Sequence, residues 1–231
     1  MDVRPNLDQT VFQDVAEFEW SASPRPGVER VMLDRVGDEV AVATSIVRYA
    51  PGASFNSHTH ALGEEFIVLD GEFMDEHGAY PAGSYVRNPP GTSHQPYSDI
   101  GCTIWVKLRQ FDERDLTPVT AAIPKYEATA EPKVERLYTY EAEEVSWVHV
   151  PSGTRFAFPS HFNVREVLIL AGRLTWQQEV TRTLGQWSWI RMSPGQPFRI
   201  NALEDCVLFA KTRPVYRGRA HVSTLKQKAD R

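Results

Sequence analysis

The sequence predicts an all-β protein built from two copies of one β unit. Short segments rich in β-branched and aromatic residues recur along the chain, and Pro and Gly turn signals separate them. Helical periodicity is scarce, so the strands are expected to close into sandwiches or barrels. With 231 residues, of which 42% are hydrophobic and 24% charged, the chain can bury one large β core or two smaller ones.

The predicted strands follow one another in a regular order. They are expected at residues 40–50, 65–69, 84–87, 102–108, 145–150, 167–171, 187–192 and 206–211. Residues 117–132 hold three prolines among Ala and Thr, which is typical of a connector. We therefore predict one domain at 1–116 and a second at 133–231, which ends in a basic, solvated tail from residue 213 onward.

An internal repeat supports two copies of one unit. When Gly52 is placed on Gly153 without a gap, a histidine and a glycine later in the first copy also meet their counterparts. After a two-residue insertion in the second copy, CTIWVKLR (102–109) falls on CVLFAKTR (206–213). This many matches in one register favour a repeat over two unrelated β domains with similar turns.

Composition excludes several classes of protein. Lys and Arg number 25 and Asp and Glu 30, so the net charge of −5 argues against nucleic acid as a partner. No apolar run approaches the roughly 20 residues that a membrane span needs. Acidic residues recur through residues 1–20, so no signal peptide is expected. We expect a cytoplasmic protein without a membrane partner.

The two cysteines, Cys102 and Cys206, occupy equivalent places in the two copies and form no CxxC pair. Two cysteines are too few for a disulfide framework. We expect two buried free thiols, with a single bridge between them as the alternative.

Four residues of the first copy point to metal chemistry. His58 and His60 are two apart, so on a strand their side chains share one face. Glu64 follows a short turn and His94 follows a Pro-Gly corner, so both can converge on the two histidines. Three imidazoles and one carboxylate suit a divalent metal and leave positions for water or substrate. We expect one ion per chain, Zn²⁺ or Fe²⁺, with Mn²⁺ or Ni²⁺ as alternatives.

The spacing of these residues resembles both motifs of the cupin superfamily, GX5HXHX3EX6G from Gly52 and GX5PXGX2H from Gly83. An Asn that commonly follows four residues after the second motif is replaced by Ser98. The segments PGASFNSHTHALGEEFIVLDGEF (51–73), YPAGSYVRNPPGTSHQP (80–96) and GCTIWVKL (101–108) resemble more specifically the ChrR-like cupins. The resemblance implies two tandem cupin barrels, each a double-stranded β-helix or jelly roll.

The same resemblance implies a ligand set of His58, His60, Glu64 and His94. Glu65 competes with Glu64, because the two are adjacent. The motif spacings select Glu64, and strand alternation then turns Glu65 to the opposite face.

The second copy is expected to be a degenerate relative without this site. Pro159, Arg165 and Phe198 replace the first histidine, the glutamate and the motif-two histidine, and only His161 is retained. We expect a structural role for this copy, with an apolar pocket for an organic ligand as the alternative. The two copies then form an internal pseudo-dimer, or the chain pairs again as a homodimer.

Strands that pass near the predicted metal offer four candidates for substrate contact, namely Arg48, Phe66, Tyr85 and Trp105. Arg48 could meet an anionic substrate, and its alternative is a surface charge. Phe66 and Trp105 are more often core residues than stacking residues.

The resemblance implies three candidate functions. The first is a dioxygenase that acts on a small dicarbonyl or hydroxy-ketone compound, because relatives with this signature include such enzymes. The second is a ChrR-type regulator. In that family a separate N-terminal helical domain binds the sigma factor through its own His and Cys zinc site. Residues 1–57 contain neither His nor Cys, so we do not expect a sigma factor as partner. The third is a metal-containing binding module without turnover.

Overall fold

The computed structural model describes residues 1–38, 40–127 and 129–214, and within them the chain is almost entirely β. One three-residue 3₁₀ helix spans Val15–Glu17. No helix in these residues is long and apolar enough to cross a membrane. The strands, in chain order, are β1 (Val11–Gln13), β2 (Ser21–Ala22), β3 (Val28–Val36), β4 (Val42–Tyr49), β5 (Ala53–Ser54), β6 (His58–Thr59), β7 (Glu64–Asp75), β8 (Gly78–Pro81), β9 (Ser84–Asn88), β10 (Ser93–His94), β11 (Tyr97–Ser98), β12 (Cys102–Leu108), β13 (Val119–Ala122), β14 (Lys133–Tyr140), β15 (Glu143–Val150), β16 (Arg155–Phe158), β17 (Val164–Ala171), β18 (Leu174–Trp176), β19 (Arg182–Leu184), β20 (Trp189–Met192), β21 (Phe198–Ala202) and β22 (Cys206–Arg213).

The chain divides into two compact units, which confirms the predicted all-β fold of two tandem jelly-roll units. Unit 1 comprises Met1–Pro5 and Glu19–Ile123, and unit 2 comprises Asn6–Phe18 and the chain from Pro124 onward. These bounds differ from the predicted ones at two short strands. The sequence placed β1 in the first domain and β13 in the connector, whereas the structure places β1 in unit 2 and β13 in unit 1. β1 pairs with β20 of unit 2, and β13, inside the predicted connector, pairs with β9 of unit 1. The basic tail beyond Pro214 lies outside the described residues.

Unit 1 is built on a large antiparallel sheet with the order β13-β9-β7-β12-β4-β3-β2. Two short pairs, β6 with β10 and β5 with β11, and strand β8, which pairs with β7, complete the unit. Alternate side chains of β7 and β12 face inward, as the period of a strand requires. They form an apolar core that includes Phe66, Val68, Phe73, Ile104 and Val106. This core forms the floor on which the candidate site lies.

Unit 2 consists of two antiparallel sheets. The larger has the order β1-β20-β17-β22-β15-β14 and the smaller β16-β21-β18-β19. Its core includes Val148, Ile169, Trp176, Ile190 and Leu208, all almost fully buried. Unit 2 therefore buries its own apolar core, as an independent domain must.

The repeat predicted from sequence extends to an irregularity of the sheets. Where β7 pairs with β12, the register skips Leu69, and where β17 pairs with β22, it skips Leu170. Both bulges therefore fall at the same place in the two units. A bulge inserts one residue into one strand and bends it, so a shared bulge is evidence for a shared backbone path.

A glycine follows each bulge for the same physical reason. Gly71 and Gly172 have φ of +70° and +84°, and a Cβ there would lie 2.1 Å and 2.3 Å from the carbonyl oxygens of Gly101 and Asp205. Only glycine fits such a close approach of backbone to backbone. Cys102 and Cys206, which lie beside these turns, are buried and unbridged as predicted.

Candidate metal centre

His58, His60, Glu64 and His94 come together in unit 1, as the sequence predicted. One potential ligand atom of each residue lies within 4.8 Å of those of the other three. The imidazole centroids are 4.6 Å apart for His60 and His94, 5.0 Å for His58 and His94, and 5.1 Å for His58 and His60. His60, Glu64 and His94 are buried, whereas His58 is exposed. The cluster therefore has one side open to solvent.

Short backbone pairings fix the positions of the four residues. His58 of β6 lies opposite His94 of β10. The backbone of His60 continues this ladder, because its N–H donates to the Thr92 carbonyl and its carbonyl accepts from the Gly91 N–H, each at 2.8 Å. The i, i+2 spacing thus places both histidines of the first motif beside the histidine of the second.

The turn before Glu64 requires a glycine. Gly63 has φ of +73°, and a Cβ there would lie 2.4 Å from the ring of Phe111. Glu64 begins β7 directly after this turn and lies opposite Asn88 of β9 and Leu108 of β12. The turn therefore delivers the carboxylate to the sheet edge where the histidines lie.

Glu65 takes the opposite face, as strand alternation predicted. Its carboxylate accepts a hydrogen bond from the Tyr85 hydroxyl at 2.7 Å and one from Arg87 Nη1 at 3.3 Å. Glu65 is fully buried in this polar network. The structure thus brings Glu64, and not its neighbour, into the cluster.

Two of the imidazoles are oriented through Nδ1 by an oxygen of a nearby loop. His58 Nδ1 lies 3.0 Å from the carbonyl oxygen of Asn56, and His60 Nδ1 lies 3.1 Å from Thr92 Oγ1. The Thr92 hydroxyl donates to the Pro89 carbonyl at 2.7 Å, so it accepts from the imidazole. A proton on Nδ1 leaves the lone pair on Nε2, which is the arrangement that metal-binding histidines use.

The third imidazole is oriented by a carboxylate. His94 Nδ1 lies 3.0 Å from Asp75 Oδ2. The other oxygen of Asp75 accepts from the backbone N–H groups of His77 at 2.8 Å and Gly78 at 3.2 Å. Asp75 therefore ties the ring of His94 to the β7–β8 turn. Sequence reasoning did not name these partners, and only the acidic turn that ends β7 could have indicated Asp75.

The donor atoms that face the centre fit a metal ion. Nε2 of His60 and Nε2 of His94 are buried without a hydrogen-bond partner in the described part of the chain. They lie 3.6 Å and 3.4 Å from Glu64 Oε1, beyond hydrogen-bond distance. Buried polar atoms without partners are costly, and a cation among them would satisfy all of them at once. Nitrogen and carboxylate donors of this kind suit a divalent first-row metal.

Burial sets the protonation of the cluster. It lowers the pKa of His60 to about 3, and the neighbouring His94 and His58 contribute to that shift, so His60 is neutral at neutral pH. Burial also raises the pKa of Glu64, an effect that the charge of His94 opposes. For His94, burial lowers the pKa, but the hydrogen bond to Asp75 and the charge of Glu64 outweigh it, so the net direction is upward.

The cluster lies in the wall of a cavity of about 370 Å³ within unit 1. Apolar side chains form much of its lining, and three arginines also line it, Arg30, Arg35 and Arg109. The volume falls in the range of sites for small organic molecules. Sequence reasoning did not find these arginines, because the direction of Arg30 and Arg35 depends on strand register and that of Arg109 on the bend after β12.

The four residues predicted to contact substrate do not line this cavity. Arg48 is exposed, and its guanidinium pairs with Glu29 Oε2 at 2.6 Å. Phe66, Tyr85 and Trp105 are each fully buried. Alternate side chains of a strand point to opposite faces of the sheet. The side chains of β4 and β12 that line the cavity lie on one face, and Arg48 and Trp105 lie on the other. The cavity therefore offers a substrate other contacts than these four side chains.

The corresponding region of unit 2 has different contacts. Arg165, the counterpart of Glu64, donates from Nη1 to the Pro159 carbonyl at 2.9 Å, and its guanidinium lies 4.3 Å from the centroid of the Phe158 ring. His161 Nδ1 accepts from the Asn163 N–H at 3.1 Å. Among the residues whose placement is described, only the unit 1 cluster groups three or more metal-binding side chains in this way.

Comparison with known proteins finds one family model that matches part of the chain. Residues 8–112 match the model of the ChrR Cupin-like domain. No curated protein matches the chain.

Solved structures with the same fold cover nearly the whole chain. A crystal structure described as that of a candidate dioxygenase from Nostoc punctiforme has a TM-score of 0.70 and 14% identity, covering 93% of this chain and 86% of its own. The bacterial pirin YhhW from Escherichia coli, in complex with nickel(II), has 0.66 and 14%, covering 90% and 100%. Oxalate decarboxylase from B. subtilis has 0.60 and 12%, covering 92% and 80%. Identities this low establish the shared fold alone.

Proposed function

We propose that this protein, which carries a ChrR-like cupin domain in residues 8–112, is a metal-dependent enzyme of the dioxygenase type. Its substrate would be a small dicarbonyl or hydroxy-ketone compound. One observation carries the proposal: three imidazoles and one carboxylate converge in the wall of a cavity of about 370 Å³. A metal-binding cluster beside a cavity of this size suits a reaction centre better than a purely structural metal, which is usually fully enclosed by its ligands.

His58, His60, Glu64 and His94 would hold one divalent ion, with Fe²⁺ as our first choice and Zn²⁺, Mn²⁺ or Ni²⁺ as alternatives. A bound Fe²⁺ ion would supply Lewis acidity towards a chelating dicarbonyl compound and redox chemistry with dioxygen. The similar folds of a candidate dioxygenase and of a nickel(II)-bound pirin support this assignment as analogy.

The residues of the chain have distinct parts in this proposal. Asn56, Thr92 and Asp75 hold the three imidazoles through Nδ1, so each Nε2 faces the reaction centre. Apolar side chains of β4 and β12, including Val47 and Val106, line the cavity beside the centre. They exclude water from the reacting compound and strengthen the electrostatic contacts inside the cavity. Exposed His58 marks the side from which a substrate enters.

Oxygen consumption tests the proposal. Protein loaded with Fe²⁺ under nitrogen is mixed with oxygenated buffer and either acetylacetone, a β-diketone, or acetoin, a hydroxy-ketone. We expect uptake of oxygen that depends on one of these compounds and is lost in His60→Ala but not in His161→Ala. If the iron-loaded protein takes up no oxygen with either class of compound, while retaining its metal, it is a binding module without turnover.

A regulatory function is the second candidate, because the matched domain is named after ChrR. This hypothesis predicts a stable complex with a group IV sigma factor in a co-expression pull-down. The enzyme hypothesis predicts no such complex, so the two experiments separate the candidates.

Unit 2 is, in this proposal, a second cupin barrel that has lost its ligands. The shared bulges at Leu69 and Leu170 and the matching glycines Gly71 and Gly172 support common descent of the two units. We expect it to hold no metal and to have a structural role. A homodimer of the chain also stays a proposal, which sedimentation of the purified protein would test.

A further inference from the structure

The cavity beside the metal cluster carries an excess of positive charge. Three arginines line it, Arg30, Arg35 and Arg109, and Glu64 is the only carboxylate among its lining residues in the described part of the chain. Glu64 is already committed to the cluster, where a cation would neutralise its charge. The lining of the cavity therefore includes more arginines than carboxylates, which favours an anion inside it.

A bulge in β3 places two of the arginines on one face. Arg30 and Arg35 are five residues apart, an odd separation that would turn them to opposite faces of a regular strand. The pairing of β3 with β4 skips Leu33, so Arg30 lies opposite Val47 and Arg35 lies opposite Ala43. Val47 and Ala43 both line the cavity. The bulge therefore restores the alternation and directs both arginines inward.

Two of the three arginines have no acidic partner. No ion pair joins the Arg30 or Arg109 side chain to a carboxylate among the residues that the structure places, and Arg30 Nε is buried without a hydrogen-bond partner there. Arg35 has a partner of another kind, because its Nη2 donates to the backbone carbonyl oxygen of Asp38. A buried guanidinium N–H without an acceptor is costly, so an acceptor supplied by a ligand would stabilise it.

Arg109 is held close to the metal cluster by its backbone. Its φ is +61°, an uncommon left-handed conformation for a residue other than glycine. Its N–H donates to the Gly63 carbonyl at 3.0 Å, directly before Glu64. Its counterpart in unit 2, Arg213, pairs with Glu166 Oε1 at 3.0 Å, whereas no carboxylate of the described chain pairs with Arg109 beside the cavity.

We propose that Arg30 and Arg109 bind the carboxylate of the substrate, so that the substrate is a small oxo or hydroxy acid. A guanidinium presents paired N–H donors that match the two oxygens of a carboxylate, and both sides of the contact are charged. The inference rests on the proposed function, because it assigns the cavity as the substrate site. It narrows the substrate class from dicarbonyl and hydroxy-ketone compounds in general to those that carry a carboxylate.

Binding of two matched probes tests this inference without turnover. Acetylpyruvate and acetylacetone share a β-dicarbonyl group, and only the first carries a carboxylate. Isothermal titration calorimetry on the zinc-loaded protein gives the ratio of their affinities. We expect the ratio to fall about ten-fold in Arg30→Gln and in Arg109→Gln, as loss of a charge-assisted hydrogen bond implies. Arg48→Gln, which changes an arginine outside the cavity, should leave the ratio unchanged.

Zinc content and melting temperature are measured for each variant as checks on folding. If a Gln variant loses zinc or unfolds, Arg30→Lys and Arg109→Lys replace it, since they keep the charge but lose the paired donors. A ratio that stays constant in folded, zinc-loaded variants of both arginines overturns the inference, because the metal alone would then bind the carboxylate. Failure of the proposed function looks different: the iron-loaded wild-type protein would take up no oxygen with either class of compound, while acetylpyruvate would still bind in a manner that depends on Arg30 and Arg109.

Discussion

The direction of each imidazole in the cluster depends on one acceptor atom at Nδ1. These acceptors are a backbone carbonyl for His58, a hydroxyl for His60 and a carboxylate for His94. An acceptor fixes both the tautomer and the ring plane, so the protein prepares three lone pairs before any ion arrives. At the residue scale, function therefore rests on hydrogen bonds that hold the ligands in place as much as on the ligands themselves.

Loss of one ligand should lower metal affinity and stability together. In His60→Ala we expect little bound metal after gel filtration and a lower melting temperature, because bound metal stabilises the folded state by about 2.7 kcal/mol at 100 times its Kd. His161→Ala is the matched control, since its imidazole lies in unit 2 outside any such cluster in the described residues. Elemental analysis and thermal melting check both variants. Unchanged metal occupancy in His60→Ala would contradict the assigned ligand set.

Asp75 should influence metal binding although it does not belong to the cluster. Asp75→Asn keeps an oxygen for His94 Nδ1–H but removes the negative charge. We expect metal affinity to fall about ten-fold or more, which is typical for such a partner of a ligating histidine. Competition with a coloured chelator measures the Kd. Glu76→Gln is the control, because Glu76 is exposed and its carboxylate accepts from the backbone N–H of Gln95 at 2.8 Å instead of holding a ligand. An equal loss in that variant would argue for a general effect of charge.

The two thiols should be inert in the folded protein. Burial raises the pKa of Cys102 and of Cys206 to about 11 each. The thiolate is the reactive form, so labelling with a thiol reagent at pH 8 should be slow until the protein is unfolded. Because the folded pKa lies above the unfolded value, the thiols contribute stability below pH about 9 that is lost as the pH rises towards 11. Rapid labelling of native protein at pH 8 would show that these side chains are accessible.

At the scale of the element, regular strands were predictable and irregular ones were not. The prediction of strands at 102–108 and 206–211 is confirmed by β12 and β22, because dense β-branched and aromatic residues leave little alternative. The bulge at Leu33 cannot be recognised from the neighbouring residues of the sequence, because the register of a strand depends on its partner strand. This explains why spacing identified His58, His60, Glu64 and His94, whereas the direction of Arg30 and Arg35 became visible only with the pairing of β3 and β4.

The glycines that follow the two bulges should tolerate no side chain. In Gly172→Ala, the new Cβ would lie 2.3 Å from the Asp205 carbonyl oxygen, so the backbone must move. Gly153→Ala is the control, because Gly153 has φ of +76° but nothing within 4 Å of the added atom. We expect Gly153→Ala to cost about 1 kcal/mol of unfolding free energy from backbone conformation alone, and Gly172→Ala to cost clearly more. Equal costs in urea unfolding would mean that the close approach relaxes easily.

At the scale of the whole molecule, metal should act on one unit. All four predicted ligands lie in unit 1. In the corresponding region of unit 2, the guanidinium of Arg165 lies over the ring of Phe158, and the ring of Phe198 lies beside that of Phe158. Hydrogen exchange followed by mass spectrometry should show that added Zn²⁺ slows exchange in peptides that cover β6, β7 and β10. Peptides that cover β17 and β22 should exchange at the same rate with and without zinc. Equal protection in both units would reveal a second site or strong energetic coupling.

β1 belongs to unit 2 although it precedes the strands of unit 1 in the chain, and this order has a consequence for biosynthesis. The ribosome makes β1 before the strands of unit 1, yet its partner β20 appears only after the whole of unit 1 has been translated. At ordinary elongation rates of about 5–20 residues per second, that early segment waits on the order of ten seconds or longer without its sheet. β1 is thus made before the strands of unit 1 but can complete its sheet only after β20 has been translated, so it must stay available throughout that interval.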